Sequence, residues 1–245
     1  MRMSDTPLIS CLCVTRHKVS LLRRAIQCFQ DQTYPNKELV IVYEDDDLPT
    51  AEFLGHIDDS KIVQIEVPGS PKRPLGELRN LSVEKCNGEY FCQWDDDDWS
   101  HNGRLEFQMS VIGKSRMPAC ALIHWLVFDA TENQAYLSHR RPWEGSLLCK
   151  KSLLGKDIQY KVCAKGEDTS VIQELFSRHL IFPVIMPKLY IYVYHGQNTW
   201  GYEHWKPILE AGRRLSAASS RLIGEILSGR YSGKKASELL DQISE

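Results

Sequence analysis

Short apolar runs alternate with helical segments through the first part of the chain. The runs cover residues 8–14, 38–43, 62–67 and 90–94. The run at 38–43 is almost wholly apolar, which is typical of a strand that is buried on both faces of a sheet. This strand–helix alternation predicts an α/β fold with a mostly parallel central sheet and helices on both of its faces.

Helix signals lie between these runs. Ser20 is expected to cap the first helix and Thr50 a short second helix. The third helix is expected over residues 75–86, with Asn87-Gly88 closing its C-terminal end.

The second half of the sequence has a more mixed pattern. Residues 121–129 are interpreted as one strand, and residues 166–169 open a helix. From Pro207 onward, apolar residues at helical spacing predict a helical tail. We therefore expect one domain over residues 1–206 and a C-terminal helical extension over residues 207–245.

Composition and charge limit the functional classes. The formal net charge is −2 at pH 7, so no nucleic-acid partner is expected. The eight cysteines include no C-x-x-C pair, and buried free thiols in a reducing compartment explain them most simply. No apolar stretch reaches the roughly 18 residues of a membrane span, and the N-terminus lacks a signal-peptide core. We therefore expect a cytoplasmic protein.

Charged residues follow three of the predicted strands. Residues 95–98 are four consecutive aspartates, residues 44–47 are also acidic, and residues 15–18 are polar and basic. The carboxyl ends of parallel strands share one edge of a sheet, where ligands bind. Adjacent carboxylates need a neutralising cation or hydrogen-bond donors, and oxygen ligands suit Mg²⁺ or Mn²⁺. This edge predicts a metal–diphosphate site, although an acidic surface loop explains the aspartates alone equally well.

An ordered set of motifs resembles the pattern of a known protein family. The motifs are residues 7–15, residues 30–42, Arg79-Asn80, Gly88-Glu89-Tyr90 and Asp95-Asp96-Asp97-Asp98. Their order and spacing resemble those of the inverting glycosyltransferases of family 2, which have the GT-A fold. The resemblance covers roughly residues 7–200, and each motif by itself is unspecific.

The resemblance implies a role for each matching residue. Nucleotide-sugar binding falls to Thr15, Arg16, Glu44, Asp45, Arg79, Asp95 and Asp96, and the loop residues Lys72 and Arg73 are added as phosphate ligands. Asp97 and His195 would bind Mn²⁺ or Mg²⁺. Asp168 would be the general base that removes the proton of the acceptor.

One departure from the family pattern concerns the base of the nucleotide. The second strand usually ends in two aspartates, whereas this chain has Tyr43-Glu44. Either Glu44 or Asp45 therefore takes the role of accepting the N–H of the base.

Several of these residues also have a purely structural interpretation. Thr15 would satisfy its own strand end, and Arg79 would be an exposed helix residue paired with Glu77 or Glu84. Asp168 and the preceding Glu167 would only stabilise the N-terminus of a helix.

The resemblance implies transfer of a sugar from a nucleotide-diphosphate sugar, most often a UDP-sugar, to a hydroxyl acceptor. The acceptor would be a glycan, a lipid-linked molecule or a protein, for example in surface polysaccharide or glycoconjugate synthesis. A nucleotidyltransferase and a catalytically silent nucleotide- or sugar-binding module are the alternatives. The basic and apolar residues of the tail also allow peripheral contact with the inner face of a membrane, or a homodimer.

Overall fold

The computed structural model describes residues 6–243 of the chain. Within these residues the helices are α1 (Val19–Gln30), α2 (Leu48–Gly55), α3 (Leu75–Lys85), α4 (Arg104–Ser115), α5 (Thr169–Ser177), α6 (Tyr202–Ala211), α7 (Ala217–Leu227) and α8 (Gly233–Asp241). The strands are β1 (Ile9–Val14), β2 (Lys37–Glu44), β3 (Ile62–Val67), β4 (Tyr90–Gln93), β5 (Trp99–Ser100), β6 (Ala119–Leu122), β7 (Leu126–Asp129), β8 (Gln134–Leu137), β9 (Leu148–Lys150), β10 (Ile181–Val184), β11 (Tyr190–Tyr194) and β12 (Arg213–Arg214).

Seven strands form the central sheet, in the order β10-β6-β9-β4-β1-β2-β3. Only β9 runs antiparallel to its neighbours in this sheet. A second sheet has the order β12-β8-β7-β11-β5 and is mostly antiparallel. The prediction of a mostly parallel central sheet in an α/β fold is confirmed. The second sheet was not predicted.

Alternation along β2 shows why the central sheet is covered on both faces. Leu39 and Ile41 point into a core that also contains the apolar residues of α1. Val40 and Val42 point into a second core, shared with α3 and α5. All four side chains are fully buried, and burial stabilises the fold by about 1.5–3 kcal/mol for each such side chain.

The interpretation of residues 121–129 as one strand is wrong. Two strands of different sheets, β6 and β7, occupy this part of the chain. Between them the backbone leaves the central sheet, and the backbone N–H of Trp125 donates to Ser138 Oγ at 2.9 Å. A single polar residue, His124, marks this break, and one polar residue is too weak a signal to divide the run from sequence.

Three expected helix ends also differ from the structure. Helix α1 begins at Val19, with Lys18 rather than Ser20 at its N-cap. The cap of α2 is Asp47, whose carboxylate accepts the N–H of Thr50 at 3.3 Å. Helix α3 ends in the extended residue Cys86 and not in a left-handed glycine turn.

The tail consists of α6, α7 and α8 and the short strand β12. Pro207 lies inside α6, which begins before it at Tyr202. The core includes Ile208, Ile223 and Leu240 from the three helices. Among the described residues, no helix has the length and apolar character needed to span a membrane.

Candidate active site

A cleft of about 400 Å³ opens at the carboxyl ends of β1, β2 and β4. It is lined by Thr15, Arg16, Glu44, Lys72, Arg73, Arg79, Asp95, Asp96 and Asp97, among others. An adjoining cavity of about 120 Å³ shares Arg79, Asp95 and Asp97 with the cleft and adds Asp168. Most of the residues predicted from the sequence therefore meet at one edge of the sheet.

A larger cavity, of about 760 Å³, lies at the opposite end of β4. It is lined by Gly88, Lys150 and Lys151, among others, and by none of the predicted site residues. Its size alone does not make it the site, because the titratable groups that could carry chemistry converge in the smaller cleft.

Asp45 and His195 are the exceptions among the predicted residues, since neither lines the cleft or the adjoining cavity. His195 borders a different cavity. The Asp45 side chain is exposed and accepts the N–H of Gly69 at 2.8 Å. The buried Glu44 faces the cleft instead and forms an ion pair with Arg16. Arg16 also pairs with Asp46 at 2.6 Å, so the second strand ends in a compact network of charges.

Arg79 joins two acidic segments of the site. Its Nη2 lies 3.0 Å from Asp95 Oδ1, and its Nε lies 2.7 Å from Glu167 Oε1. Burial acts to lower the pKa of Arg79, but the charges of Asp95 and Glu167 outweigh it and raise the pKa. The structural alternative for Arg79, an exposed residue paired with Glu77 or Glu84, is therefore wrong.

Asp96 and Asp97 have opposite electrostatic environments. Burial, together with the nearby charge of Asp97, raises the pKa of Asp96 to about 7. Asp97 is also buried, but its hydrogen bond with His195 and the charge of Lys18 lower its pKa to about 2. Asp97 is therefore a carboxylate anion at neutral pH, which is the form that a metal ligand requires.

Asp98 is held by the protein itself. Its carboxylate accepts the hydroxyl of Tyr190 at 2.5 Å and the N–H of Val193 at 2.9 Å. These bonds tie the end of the acidic run to β11. Asp98 borders the smaller cavity, but its acceptor atoms are used within the fold.

His195 follows β11 and reaches the acidic run. Its ring atom Nε2 lies 3.2 Å from Asp97 Oδ2, and its backbone N–H donates to Asn198 Oδ1 at 2.9 Å. Gly196, with φ of +80°, allows the tight turn that brings Asn198 back to the histidine. One carboxylate oxygen and one imidazole nitrogen thus converge. Two such donors are too few for Mn²⁺ or Mg²⁺ on their own. The pair suits either metal when phosphate oxygens complete the coordination shell.

Metal-ligating side chains are few at this position. Residues 6–243 contain no group of three His, Cys, Asp or Glu side chains arranged to hold a metal ion. The donor set therefore fits a cation that shares its ligands with a bound diphosphate, and it does not fit a cation held by protein side chains alone.

Asp168 stands at the N-cap of α5 and borders the smaller cavity. In the part of the chain that the structure describes, its carboxylate makes no hydrogen bond or ion pair, and it does not cap the helix with its side chain. Its neighbour Glu167 is instead the partner of Arg79. Asp168 thus presents a free carboxylate to the cavity.

Two residues of the site were missed by the sequence analysis. Lys18 Nζ lies 2.7 Å from Asp97 Oδ2 and 3.4 Å from Asp96 Oδ1. Glu167 was named as the residue before the candidate base, with helix stabilisation as its structural interpretation, and not as a partner of Arg79. The basic run at the end of β1 was a signal for Lys18, but nothing in the sequence indicated its partners.

Comparison with known proteins identifies the family. The model of the Glycosyl transferase family 2 matches residues 10–164, which is more than half of the chain. The chain belongs to this family. Its expected membership is thus confirmed.

Two curated relatives are named as glycosyltransferases. An uncharacterized glycosyltransferase of Haemophilus influenzae is 29% identical over 109 residues, covering 44% of this chain and 43% of the relative. The putative glycosyltransferase EpsH of Bacillus subtilis is 29% identical over 113 residues, covering 44% of this chain and 31% of the relative. The alignments thus span less than half the length of these curated relatives.

Solved structures of glycosyltransferases have the same fold. S. aureus TarS in complex with UDP-GlcNAc matches with a TM-score of 0.61 at 14% identity, over 91% of this chain and 72% of that chain. The mannosyltransferase PcManGT from Pyrobaculum calidifontis, in complex with GDP-Man and Mn²⁺, also matches with a TM-score of 0.61, at 13% identity, over 98% of this chain and 71% of that chain. The expected GT-A fold is confirmed for this family 2 chain.

Proposed function

We propose that this family 2 protein transfers a sugar, with inversion, from a nucleotide-diphosphate sugar to a hydroxyl acceptor. One observation carries the proposal: the free carboxylate of Asp168 borders the same cavity as Asp95 and Asp97. A candidate base and two acids of the candidate diphosphate end thus line one small cavity.

The cleft at the carboxyl ends of β1, β2 and β4 would hold the nucleotide. Its volume of about 400 Å³ is in the usual range for small-molecule sites, roughly 300–1,000 Å³. Thr15 and Glu44 would contact the base and ribose, and the cations of Arg16, Lys72 and Arg73 would lie close to the diphosphate. A UDP-sugar is the donor we propose, and TarS bound to UDP-GlcNAc is a similar fold with such a donor.

Asp97 and His195 would hold Mn²⁺ or Mg²⁺ together with the diphosphate. When bound, the metal would stabilise the negative charge that grows on the leaving nucleoside diphosphate. The ion pair of Asp95 and Arg79 would hold the lining of the cavity in place beside the metal position.

Asp168 would accept the proton of the acceptor hydroxyl while that oxygen attacks the anomeric carbon. The bond to the diphosphate breaks as the new glycosidic bond forms on the opposite face, which inverts the anomeric centre. The acceptor class we propose is a hydroxyl of a glycan, a lipid-linked molecule or a protein.

The eight cysteines support a cytoplasmic location within this proposal. All are free thiols, and seven of them are buried. Free thiols are typical of a reducing compartment.

Two measurements test the proposal. First, thermal shifts with UDP, GDP, CDP and dTDP, each with and without Mn²⁺, identify the base, because a ligand of the folded state raises its melting temperature. Second, Asp168→Asn should lower turnover by about 10²- to 10⁴-fold, the usual contribution of a general base, with nucleotide affinity close to that of wild type.

The matched control is Asp157→Asn, an exposed aspartate away from the cleft, which should keep full turnover. Nucleotide binding without transfer by the wild type, from any donor sugar tested, would instead favour a silent binding module. Release of pyrophosphate would favour a nucleotidyltransferase.

A further inference from the structure

The ammonium group of Lys18 lies in the middle of the acidic run. Its Nζ is 2.7 Å from Asp97 Oδ2 and 3.4 Å from Asp96 Oδ1, and the side chain is 20% exposed. It also lines the cleft. A protein cation therefore already neutralises the carboxylates at which a metal would bind.

The backbone before Lys18 fixes this position. His17 is in the left-handed region, with φ of 55°, and the buried Asp47 holds it there. The Asp47 carboxylate accepts the backbone N–H of His17 at 2.6 Å and lies 3.1 Å from the ring atom Nδ1 of His17. Because this turn joins β1 to α1, the residue that follows it is directed across the end of the sheet toward the acidic run.

Lys18 shares one oxygen atom with the metal position. Asp97 Oδ2 is the atom that contacts both Lys18 Nζ and His195 Nε2. An ammonium group at hydrogen-bond distance from this oxygen repels a divalent cation, so the cation binds there more weakly while the lysine stays. Tight binding of the metal therefore favours movement of the lysine.

A diphosphate would give the displaced ammonium a new partner. Lysine carries its charge on a flexible stem with three donors, so it can turn from a carboxylate to a phosphate oxygen without movement of the backbone. When metal arrives without nucleotide, the displaced ammonium keeps only the weaker contact with Asp96 that it already has, at 3.4 Å, among the partners that the described residues show. The free protein should therefore bind metal weakly, and the nucleotide–metal complex should bind well.

We propose that Lys18 is a built-in counter-ion that closes the metal position in the free protein and transfers to the diphosphate when nucleotide and metal bind together. This inference rests on the proposed function, since it takes a nucleoside diphosphate as the second partner. It makes Lys18 both a competitor of the metal and a ligand of the donor.

Mn²⁺ titration of the full chain tests the competition without any turnover. Electron paramagnetic resonance measures free Mn²⁺ for wild type and Lys18→Met, first without nucleotide. We expect Lys18→Met to bind Mn²⁺ at least about tenfold more tightly than wild type, and Lys18→Met/Asp97→Asn to lose that gain. In the presence of UDP the order should reverse, with Lys18→Met binding Mn²⁺–UDP more weakly than wild type.

The matched control is Lys165→Met. Lys165 also lines the cleft, and in the described part of the chain it forms no ion pair; its removal changes the net charge equally. Its Mn²⁺ affinity without nucleotide should stay within twofold of wild type. Circular dichroism melting checks that each variant is folded.

Equal Mn²⁺ affinities of wild type and Lys18→Met, no measurable binding by Lys18→Met, or an equal gain in Lys165→Met each overturn the inference. Failure of the proposed function has a different signature. Wild type would then bind none of the four nucleoside diphosphates in the thermal-shift panel, whatever the nucleotide-free titration gives.

Discussion

Arg79 connects the two halves of the candidate site through a single guanidinium group. It contacts Asp95 in the acidic run and Glu167 beside the candidate base. The planar fork of arginine uses two separate nitrogens, Nη2 and Nε, for the two carboxylates, whereas lysine offers only one nitrogen. At the scale of the residue, Arg79 thus ties Asp95 of the acidic run to Glu167, the neighbour of the candidate base Asp168.

Replacing Arg79 by Lys should keep the charge but lose one of the two contacts. We expect kcat/KM to fall by about 10- to 100-fold, because small displacements of catalytic groups are costly. Initial rates and donor affinity by calorimetry measure the effect separately on transfer and binding. Arg178→Lys, an exposed arginine after α5, is the control. Turnover of Arg79→Lys within twofold of wild type would contradict the role assigned to Arg79.

At the scale of elements, Glu38 connects β2 with β1 and with the loop between α3 and β4. Its carboxylate accepts the Ser10 hydroxyl at 2.6 Å, and the backbone and side-chain amides of Asn87 at 2.7 and 3.0 Å. Gly88 lies so close to Ser10 that an added Cβ would be 2.5 Å from its Oγ. The glycine of the Gly-Glu-Tyr motif is thus required by this close approach, and not by a helix cap.

Glu38→Gln should destabilise the protein in a pH-dependent way. Burial acts to raise the pKa of Glu38, but its hydrogen bonds with Asn87, Ser10 and Gly88 outweigh it and lower the pKa below the usual 4.5. A carboxyl group with a lowered pKa in the folded state stabilises the fold above its unfolded pKa, and this contribution is lost as the pH falls through the folded value. We expect a loss of about 1–3 kcal/mol at pH 7.

Urea unfolding at several pH values measures this difference between wild type and Glu38→Gln. The difference should be constant from pH 7 to about pH 5 and should narrow at lower pH. The control is Glu89→Gln, because Glu89 is exposed and its ion-pair partner, Lys150, is partly exposed as well, so its loss should cost less than about 0.5 kcal/mol. A difference that widens toward low pH would contradict the assigned cause.

At the scale of the whole molecule, the C-terminal helices are part of the core. Ala236, Leu240 and Ile243 are buried in the same core as α1 and the central sheet. Lys188 Nζ donates to the carbonyl oxygens of Asp241 and Ile243 at 2.9 and 2.7 Å. The apolar face of α8 is thus buried by packing, and the hydrogen bonds of Lys188 hold the end of the helix. Peripheral membrane contact and dimerisation through the tail stay predictions.

Leu240→Ala should destabilise the whole protein and not the tail alone. Loss of a fully buried leucine side chain costs about 2–5 kcal/mol, which for a chain of this size should lower the melting temperature by roughly 10 °C. Glu238→Ala, at an exposed position of α8, is the control and should melt like wild type. Calorimetry distinguishes the outcomes: a separate early transition, with the main transition unchanged, would mean that the tail folds independently.

The sequence predicted much of the site because most of its parts depend on local signals. Asp95, Asp96 and Asp97 follow an apolar strand, so their place at the edge of the sheet follows from the strand period and the parallel topology. The failures have local causes as well. The break between β6 and β7 is marked by one polar residue, His124, in an otherwise apolar stretch. Asp45 and Glu44 differ in exposure although they are adjacent.

By itself the sequence determined the α/β class, the family and the edge of the sheet at which the acids gather, since periodicity, turn chemistry and ordered motifs act between near neighbours in the chain. Only the tertiary structure decided which charges meet. The pair Lys18–Asp97 is separated by 79 residues and the pair Arg79–Glu167 by 88. Such pairs depend on the order of the strands and the direction of each loop, which no local pattern encodes.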